Sequence, residues 1–273
     1  MKVQRRPSDM VKFILRKVLL ALLALIVIFP LLYMFSSSLF SASDFNEIRI
    51  LPDVPQWSNY AKALTNRYFP YYMINSVGTS LLASAIRTTV IILAAFALTH
   101  LRFRGKNLIL SALVLTLFVP QEAVLYHNYR TIAALGLIDS WAGIISTSLF
   151  SAAQMLLLMG AFISVGKDPY DAARIDGATD MRYITSVLIP QTAPAVMTIA
   201  IQTLITVFNS YLWPLLVTNR PKSRTIQIGI TMLGFSESGQ LGPQMATLVI
   251  MTLPFLILLA FAKKWIENAL IRR

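Results

Sequence analysis

Val18-Leu19-Leu20-Ala21-Leu22-Leu23-Ala24-Leu25-Ile26-Val27-Ile28-Phe29-Pro30-Leu31-Leu32-Tyr33-Met34-Phe35 runs for eighteen residues without a charge. Crossing about 30 Å of hydrocarbon takes roughly 20 residues of helix, and Phe13-Ile14-Leu15 lengthens the run upstream. A secretory signal has an apolar stretch of only about 7–15 residues, so residues 13–35 are expected to stay in place as a first membrane span. Working outward, five more stretches reach spanning length: 74–98, 108–125, 141–163, 192–217 and 245–262. Interior prolines (Pro30, Pro120, Pro214, Pro254) do not veto them, because neighbouring helices can satisfy the freed backbone groups in a bundle. The expected fold is an all-α membrane protein of six transmembrane helices, one domain over residues 1–273.

Composition agrees. Of 273 residues, 56% are hydrophobic and 13% charged, against about 25% charged in an ordinary soluble domain. The absence of cysteine removes disulfide scaffolds, thiolate metal sites and thiol nucleophiles. Only two histidines, His100 and His127, remain for a metal centre or general base, so no metal site and no catalytic residue is expected. A net charge of +12 invites a nucleic-acid reading, but the apolar runs turn it into a topology signal. Sixteen Lys and Arg flank the ends that would share one side of the membrane, and seven flank the other. Basic residues collect on the cytoplasmic side, which puts both termini in the cytoplasm of a multi-pass membrane protein. The Tyr68–Tyr72 cluster suits either an interfacial aromatic belt or a packed outer loop.

Between the fourth and fifth spans, on the cytoplasmic side, lies Lys167-Asp168-Pro169-Tyr170-Asp171-Ala172-Ala173-Arg174-Ile175-Asp176-Gly177-Ala178-Thr179-Asp180, continuing to Val187-Leu188-Ile189-Pro190. It reads as two short helices around a sharp turn. Asp168 is placed to cap the first helix and Pro169 to open it. Gly177 can take the left-handed conformation that ends it, and Thr179 can cap the second, with Asp180 in its first turn. Ala172 and Ala173 add no bulk, so another backbone can approach. An amphipathic pair lying on the membrane would carry the same helix and turn signals.

The segment 164–190 resembles the EAA loop of permease subunits of bacterial ATP-binding-cassette importers. That pattern is Glu-Ala-Ala, three residues, Gly, nine residues, then Ile-x-Leu-Pro. Here Asp171-Ala172-Ala173 precedes Gly177 by that spacing, and Val187-Leu188-Ile189-Pro190 follows nine residues later, with Asp for Glu, Val for Ile and Ile for Leu. Phe208-Asn209-Ser210-Tyr211-Leu212-Trp213-Pro214-Leu215 is similar to the run in the fifth span of sugar-importer permeases. Asn75-Ser76, Arg102-Phe103-Arg104-Gly105-Lys106 and Leu135-Gly136-Leu137-Ile138-Asp139-Ser140 extend the likeness over nearly the whole chain. It points to the maltose and glycerol-3-phosphate type, and to the second permease of the pair.

The resemblance implies a cytoplasmic coupling helix pair between helices four and five, with Asp168, Asp171, Ala172, Ala173, Arg174, Gly177 and Pro190 forming the ATPase-coupling loop. It implies a homologous second permease, two ATPase subunits and an extracytoplasmic substrate-binding protein as partners, within membrane lipid and without nucleic acid. No Gly-x-x-x-x-Gly-Lys phosphate loop is present, so ATP and Mg are expected on the partner subunits. No cofactor is expected in this chain.

Arg87 falls near the middle of the second span and Glu122 near the outer end of the third. An intramembrane charge costs about 2.5–3.5 kcal/mol on an insertion scale, so each needs a partner or a wet cavity. Arg87 is expected either to line the substrate path or to pair structurally with Glu122 or with backbone. Asn209 and Gln202 are candidate donors to substrate hydroxyls or interhelical glue. Tyr211 and Trp213 are candidates for an aromatic platform or for belt residues. In the outer loop 218–244, Arg220, Lys222, Arg224 and Ser238 suggest an adaptable surface for the binding protein. The expected cargo is a sugar or oligosaccharide, with glycerol-3-phosphate or a glycerophosphodiester as the alternative. An ATP-independent secondary carrier is the runner-up in kind.

Overall fold

The computed structural model describes residues 7–65, 67–235 and 241–253. The chain divides into two compact units: residues up to 65 with the helix near 241–253, and residues 67–231.

In the first unit, helix α1 (Pro7–Ser37) runs through Pro30 without ending. From Val18 to Leu32 its side chains are exposed in this chain, as a lipid- or partner-facing helix requires. Serines stop it. Ser37 and Ser38 donate their hydroxyls to the Met34 and Phe35 carbonyls, at 3.1 and 2.6 Å. Helix α2 (Ser58–Thr65) is then tied back: the Asn59 side-chain amide donates to the carbonyls of Ser38 (3.0 Å) and Phe40 (2.9 Å). Between them a loop closes around Asp44, whose carboxylate accepts from the backbone N–H and the hydroxyl of Ser41, each at 2.8 Å. These bonds, with Arg49 nearby, hold the Asp44 carboxyl below the usual range.

The second unit is built on α3 (Phe69–His100), a continuous 32-residue helix. After it come α4 (Lys106–Leu115), α5 (Leu125–Ala134), α6 (Trp141–Ile145), α7 (Ala152–Val165) and α8 (Asp168–Ile175). Then follow α9 (Asp180–Tyr183), a π-helical turn Ile184–Leu188, α10 (Ile189–Gln191), α11 (Ala193–Phe208), α12 (Leu212–Val217) and α13 (Ile226–Phe235), whose residues from Met232 on belong to the first unit. Ile91, Ala95 and Phe96 of α3 are buried with Met155, Leu158 and Phe162 of α7 and with Ile199 of α11. Polar ties cross the same bundle: Ser84 Oγ donates to the Ala200 carbonyl (2.8 Å), and Gln154 Nε2 to Gln202 Oε1 (3.2 Å). In a membrane bundle such a bond contributes about 0.6 kcal/mol, so close packing dominates. Gly78 leaves room on α3 for the Trp141 ring, and the Trp141 indole N–H donates to Asn75 Oδ1 at 2.8 Å.

Among the described residues, two helices are long and apolar enough to cross a membrane, and three bent pairs raise the number to five if each pair makes one span. The expected third and fourth spans are therefore not straight helices, and the expected fifth, 192–217, begins at a bend from the loop before it. Residues 106–118 and 121–134 meet at 96°, residues 141–148 and 152–165 at 58°, and residues 180–191 and 193–208 at 87°. The first break sits at Pro120, which lacks the N–H a continuing helix needs. At the second, Ser151 starts a new helix by accepting from the Gln154 N–H. The fifth stretch is broken again at Asn209–Tyr211, between α11 and α12. The helix Leu241–Leu253 covers the start of the expected sixth span; residues 254–262, with Pro254, lie outside the described residues.

Candidate coupling loop and translocation path

Helices α8 and α9 form the helix pair read from the sequence. Gly177 has φ +76°, and its N–H bonds the Arg174 carbonyl while the Ala178 N–H bonds that of Ala173, at 3.2 and 2.9 Å. This is a Schellman stop, with Gly177 in the left-handed position. Thr179 caps α9 by accepting the Arg182 N–H at 3.3 Å, and Asp180 sits in the first turn. One expectation is corrected. Asp168 is the first residue of α8 rather than its cap, Lys167 holds the cap position, and no side-chain cap bond forms. Asp168 and Asp171 still put negative charge in the first turn, where the helix dipole favours it.

A cluster of rings fixes this pair to the bundle. Tyr170 of α8 and Tyr183 of α9 lie 5.0 Å apart between ring centroids. His100, at the end of α3, is 5.2 Å from Tyr170 and 5.7 Å from Tyr183. Phe96 adds contacts at 5.8 and 6.4 Å. Edge-on aromatic pairs contribute about 0.5–1.5 kcal/mol each beyond burial, so the cluster ties the pair to the end of α3. Tyr170 also donates its hydroxyl to Asp180 at 2.9 Å, bracing one helix on the other. Burial, and then that bond, push its phenol pKa up.

The outer face of the pair is open. Ala172 is exposed, whereas Ala173 is half-buried against the core, so only the first of the two small residues lies on the open face. Around the Gly177 turn, Ile175 is 87% and Met181 56% exposed. Sequence reading missed both. An isoleucine next to a helix stop and a methionine just after a cap signal are the clues that were available. Arg174 stays exposed, 3.7 Å from Asp180. Pro190 lies in α10, between the π turn and the 87° bend.

Arg87 is buried, and its Nε donates to the Ser148 carbonyl at the break before α7. Its partner is therefore backbone. Glu122 is exposed on the turn 121–124, and among the described residues no ion pair joins the two. Asn209 is exposed and accepts from Gln227 Nε2 at 3.1 Å; Tyr211 is exposed beside it. Trp213 is buried, with its indole N–H on the Gly143 carbonyl at 3.0 Å. Trp213 is thus a packing residue and not a presented platform, because the kink at Asn209–Tyr211 turns α12 into the bundle.

The loop 218–225 is pinned, against the expectation of an adaptable surface. Asp139 Oδ1 accepts from the N–H groups of Asn219 and Arg220, at 2.7 and 2.8 Å. Asn75 Nδ2 donates to the carbonyls of Lys222 and Arg224, at 2.8 and 3.0 Å. Arg220 nonetheless presents its side chain to solvent, and the Lys222 ammonium lies 5.3 Å over the Tyr71 ring. Ser238 lies outside the described residues.

Apolar helices of spanning length, bent pairs among them and a short-helix pair braced on the bundle fit a membrane-embedded subunit. The family described as "Binding-protein-dependent transport system inner membrane component" matches residues 88–272, and the chain belongs to it. The chain is similar to the trehalose/maltose transport system permease protein MalG of Thermococcus litoralis, 28% identical over 94% of this chain and 96% of that protein. It is equally similar to the sn-glycerol-3-phosphate transport system permease protein UgpE of Yersinia pestis, 28% identical over 93% and 94%. Permeases of that second name from other bacteria match at comparable identity. Among solved structures, a bacterial ABC transporter involved in the import of the acidic polysaccharide alginate matches with TM-score 0.83 and 25% identity, over 96% of this chain and 98% of that one. The chain is a permease subunit of an ABC importer, a membrane-embedded transport protein and not an enzyme.

Proposed function

We propose that this chain is the second permease of a heterodimer that imports a small hydroxylated anion, glycerol-3-phosphate or a glycerophosphodiester. Of the two cargo readings drawn from the sequence, relatives named for sn-glycerol-3-phosphate favour this one over a neutral sugar, and likeness to an importer of an acidic polysaccharide agrees. The chain crosses the membrane six times with both termini in the cytoplasm; the two long helices and three bent pairs support up to five crossings, and the apolar helix Leu241–Leu253 falls at the start of the sixth.

The observation that carries the coupling role is the braced α8–α9 pair with Ile175 and Met181 exposed at its tip. A separate ATPase subunit takes this tip into an apolar pocket, with Asp168, Asp171 and Arg174 at the rim. ATP-driven closure of two such ATPases pulls the pair, and the ring cluster passes the displacement to α3 and α7 as a rigid-body switch. On the other side, Arg220, Lys222 and Arg224 meet the extracytoplasmic binding protein. Arg87, Glu122, Asn209 and Tyr211 contribute to the substrate path.

The test is ATP-dependent uptake by proteoliposomes holding this chain, its partner permease, the ATPase and the binding protein. Labelled sn-glycerol-3-phosphate should enter, and trehalose should not compete. Uptake of trehalose with no uptake of sn-glycerol-3-phosphate would overturn the cargo. Uptake without ATP would overturn the importer mechanism.

A further inference from the structure

Helix α11 carries a second pattern over its fold-forming one. Ile199, Thr203 and Val207 are buried, while Thr198, Gln202, Thr206 and Asn209 are exposed. The exposed four recur at helical spacing down one face, with Asn209 just past the end of the helix. At about 1.5 Å per residue the ladder is roughly 16 Å long, half of a hydrocarbon core of about 30 Å. Polar groups in such a core are expected to face the bundle interior or a wet cavity rather than lipid.

Their hydrogen bonds leave an ordered set of free valences. Thr198 and Thr206 spend their hydroxyl protons on the carbonyls of Pro194 and Gln202, each at 2.8 Å, and keep oxygen lone pairs to accept. Gln202 and Asn209 use their side-chain oxygens on Gln154 and Gln227, and keep –NH2 groups to donate. Down the face the order is acceptor, donor, acceptor, donor. A hydroxyl both donates and accepts, so this alternation suits a chain of hydroxyl groups and carries no charge of its own.

A second observation falls on the same helix. Its end at Asn209–Tyr211 exposes a stretch of non-helical backbone within the fifth apolar run. Irregular backbone at membrane depth is tolerated only where protein buries it or where it lines a water-filled cavity. We propose that Thr198, Gln202, Thr206 and Asn209 form a polar ladder that hands the hydroxyl-bearing part of the substrate along the translocation path.

The inference rests on the permease reading but not on the particular cargo. The chain has no cysteine, so single cysteines can be placed by Thr198→Cys, Gln202→Cys, Thr206→Cys and Asn209→Cys in the full complex. A small, charged, membrane-impermeant thiol reagent should modify all four during turnover and leave Ile199→Cys and Val207→Cys untouched. Saturating sn-glycerol-3-phosphate with binding protein should slow the modification several-fold. If the complex proves to carry trehalose, protection by trehalose supports the ladder equally while the cargo reading fails. As an independent readout, Gln202→Ala and Asn209→Ala should each raise the half-saturating substrate concentration by about 2–10-fold, one hydrogen bond's worth, at unchanged assembly. Modification that no transported substrate slows, or disulfides from these positions to cysteines in the partner permease, would make the ladder a subunit interface and overturn the proposal.

Discussion

Replacing Gly177 by alanine keeps every contact of the coupling turn, because a Cβ at that position meets no atom within 4 Å. What changes is the backbone. Gly177 stands at φ +76°, and an L-residue there costs about 1–2 kcal/mol. At 1.4 kcal/mol per factor of ten, the stopped-helix form of the loop loses roughly 5–30-fold in population relative to alternatives. Asparagine tolerates the left-handed region, so Gly177→Asn should stay close to wild type although it is larger. Gly177→Pro forbids the angle and removes the N–H that bonds Arg174, at about 3 kcal/mol or more. The assay is reconstituted complex with two readouts, ATP hydrolysis stimulated by loaded binding protein and substrate moved per ATP. Coupling should fall in the order Gly, Asn, Ala, Pro. If Ala and Asn perform alike, or if loss follows side-chain volume, the left-handed stop is not what shapes the coupling surface.

Other substitutions test other joints. Tyr183→Ala should remove the centre of the ring cluster and cost about 3–5 kcal/mol, read as a lower unfolding temperature together with ATP hydrolysis that no longer drives uptake; Tyr170→Phe should cost only about 1 kcal/mol, one hydrogen bond to Asp180. Asp139 adopts φ +62°, so Asp139→Gly removes only the carboxylate that holds Asn219 and Arg220, whereas Asp139→Ala adds backbone strain. Cysteine accessibility at Thr218→Cys, buried while the loop is pinned, should rise in both, more in the second. Asp44 has its carboxyl pKa lowered by the Ser41 N–H and hydroxyl. Its stabilisation is therefore complete above the unfolded value near 3.8 and is lost as pH falls below that value through the folded one. The gap in unfolding temperature between wild type and Asp44→Asn should be present at pH 6 and shrink towards pH 3.

What was legible in the sequence was local. The left-handed Gly177, the Thr179 cap and the small Ala172 were readable because each depends on a few neighbours along the chain. Asp168 was placed one position off: its side chain suits a cap, but the helix starts one residue earlier, with Lys167 at the cap position and no side-chain cap bond. The breaks were readable only in part. Pro120 announces one, and Pro214, four residues past Ser210, cannot complete a helix through Asn209–Tyr211, but that the next turn would bury Trp213 on the Gly143 carbonyl is a long-range contact no local rule foresees. The ring cluster gathers Phe96, His100, Phe162, Tyr170 and Tyr183 from separate segments. Only the crossing of α3 with α7 and the coupling pair brings them together. Arg87 had backbone among its possible partners, and the carbonyl of Ser148 is free for it because the helix is broken there.

The most direct test of the coupling claim is site-directed cross-linking from the exposed tip of the pair. With Ile175→Cys in the assembled importer, a short thiol cross-linker should join this chain to the ATPase subunit, with a yield that changes between nucleotide-free and ATP-bound states. A cross-link of equal yield from Arg104→Cys, on the neighbouring cytoplasmic turn, with none from Ile175→Cys in any nucleotide state, would contradict the account.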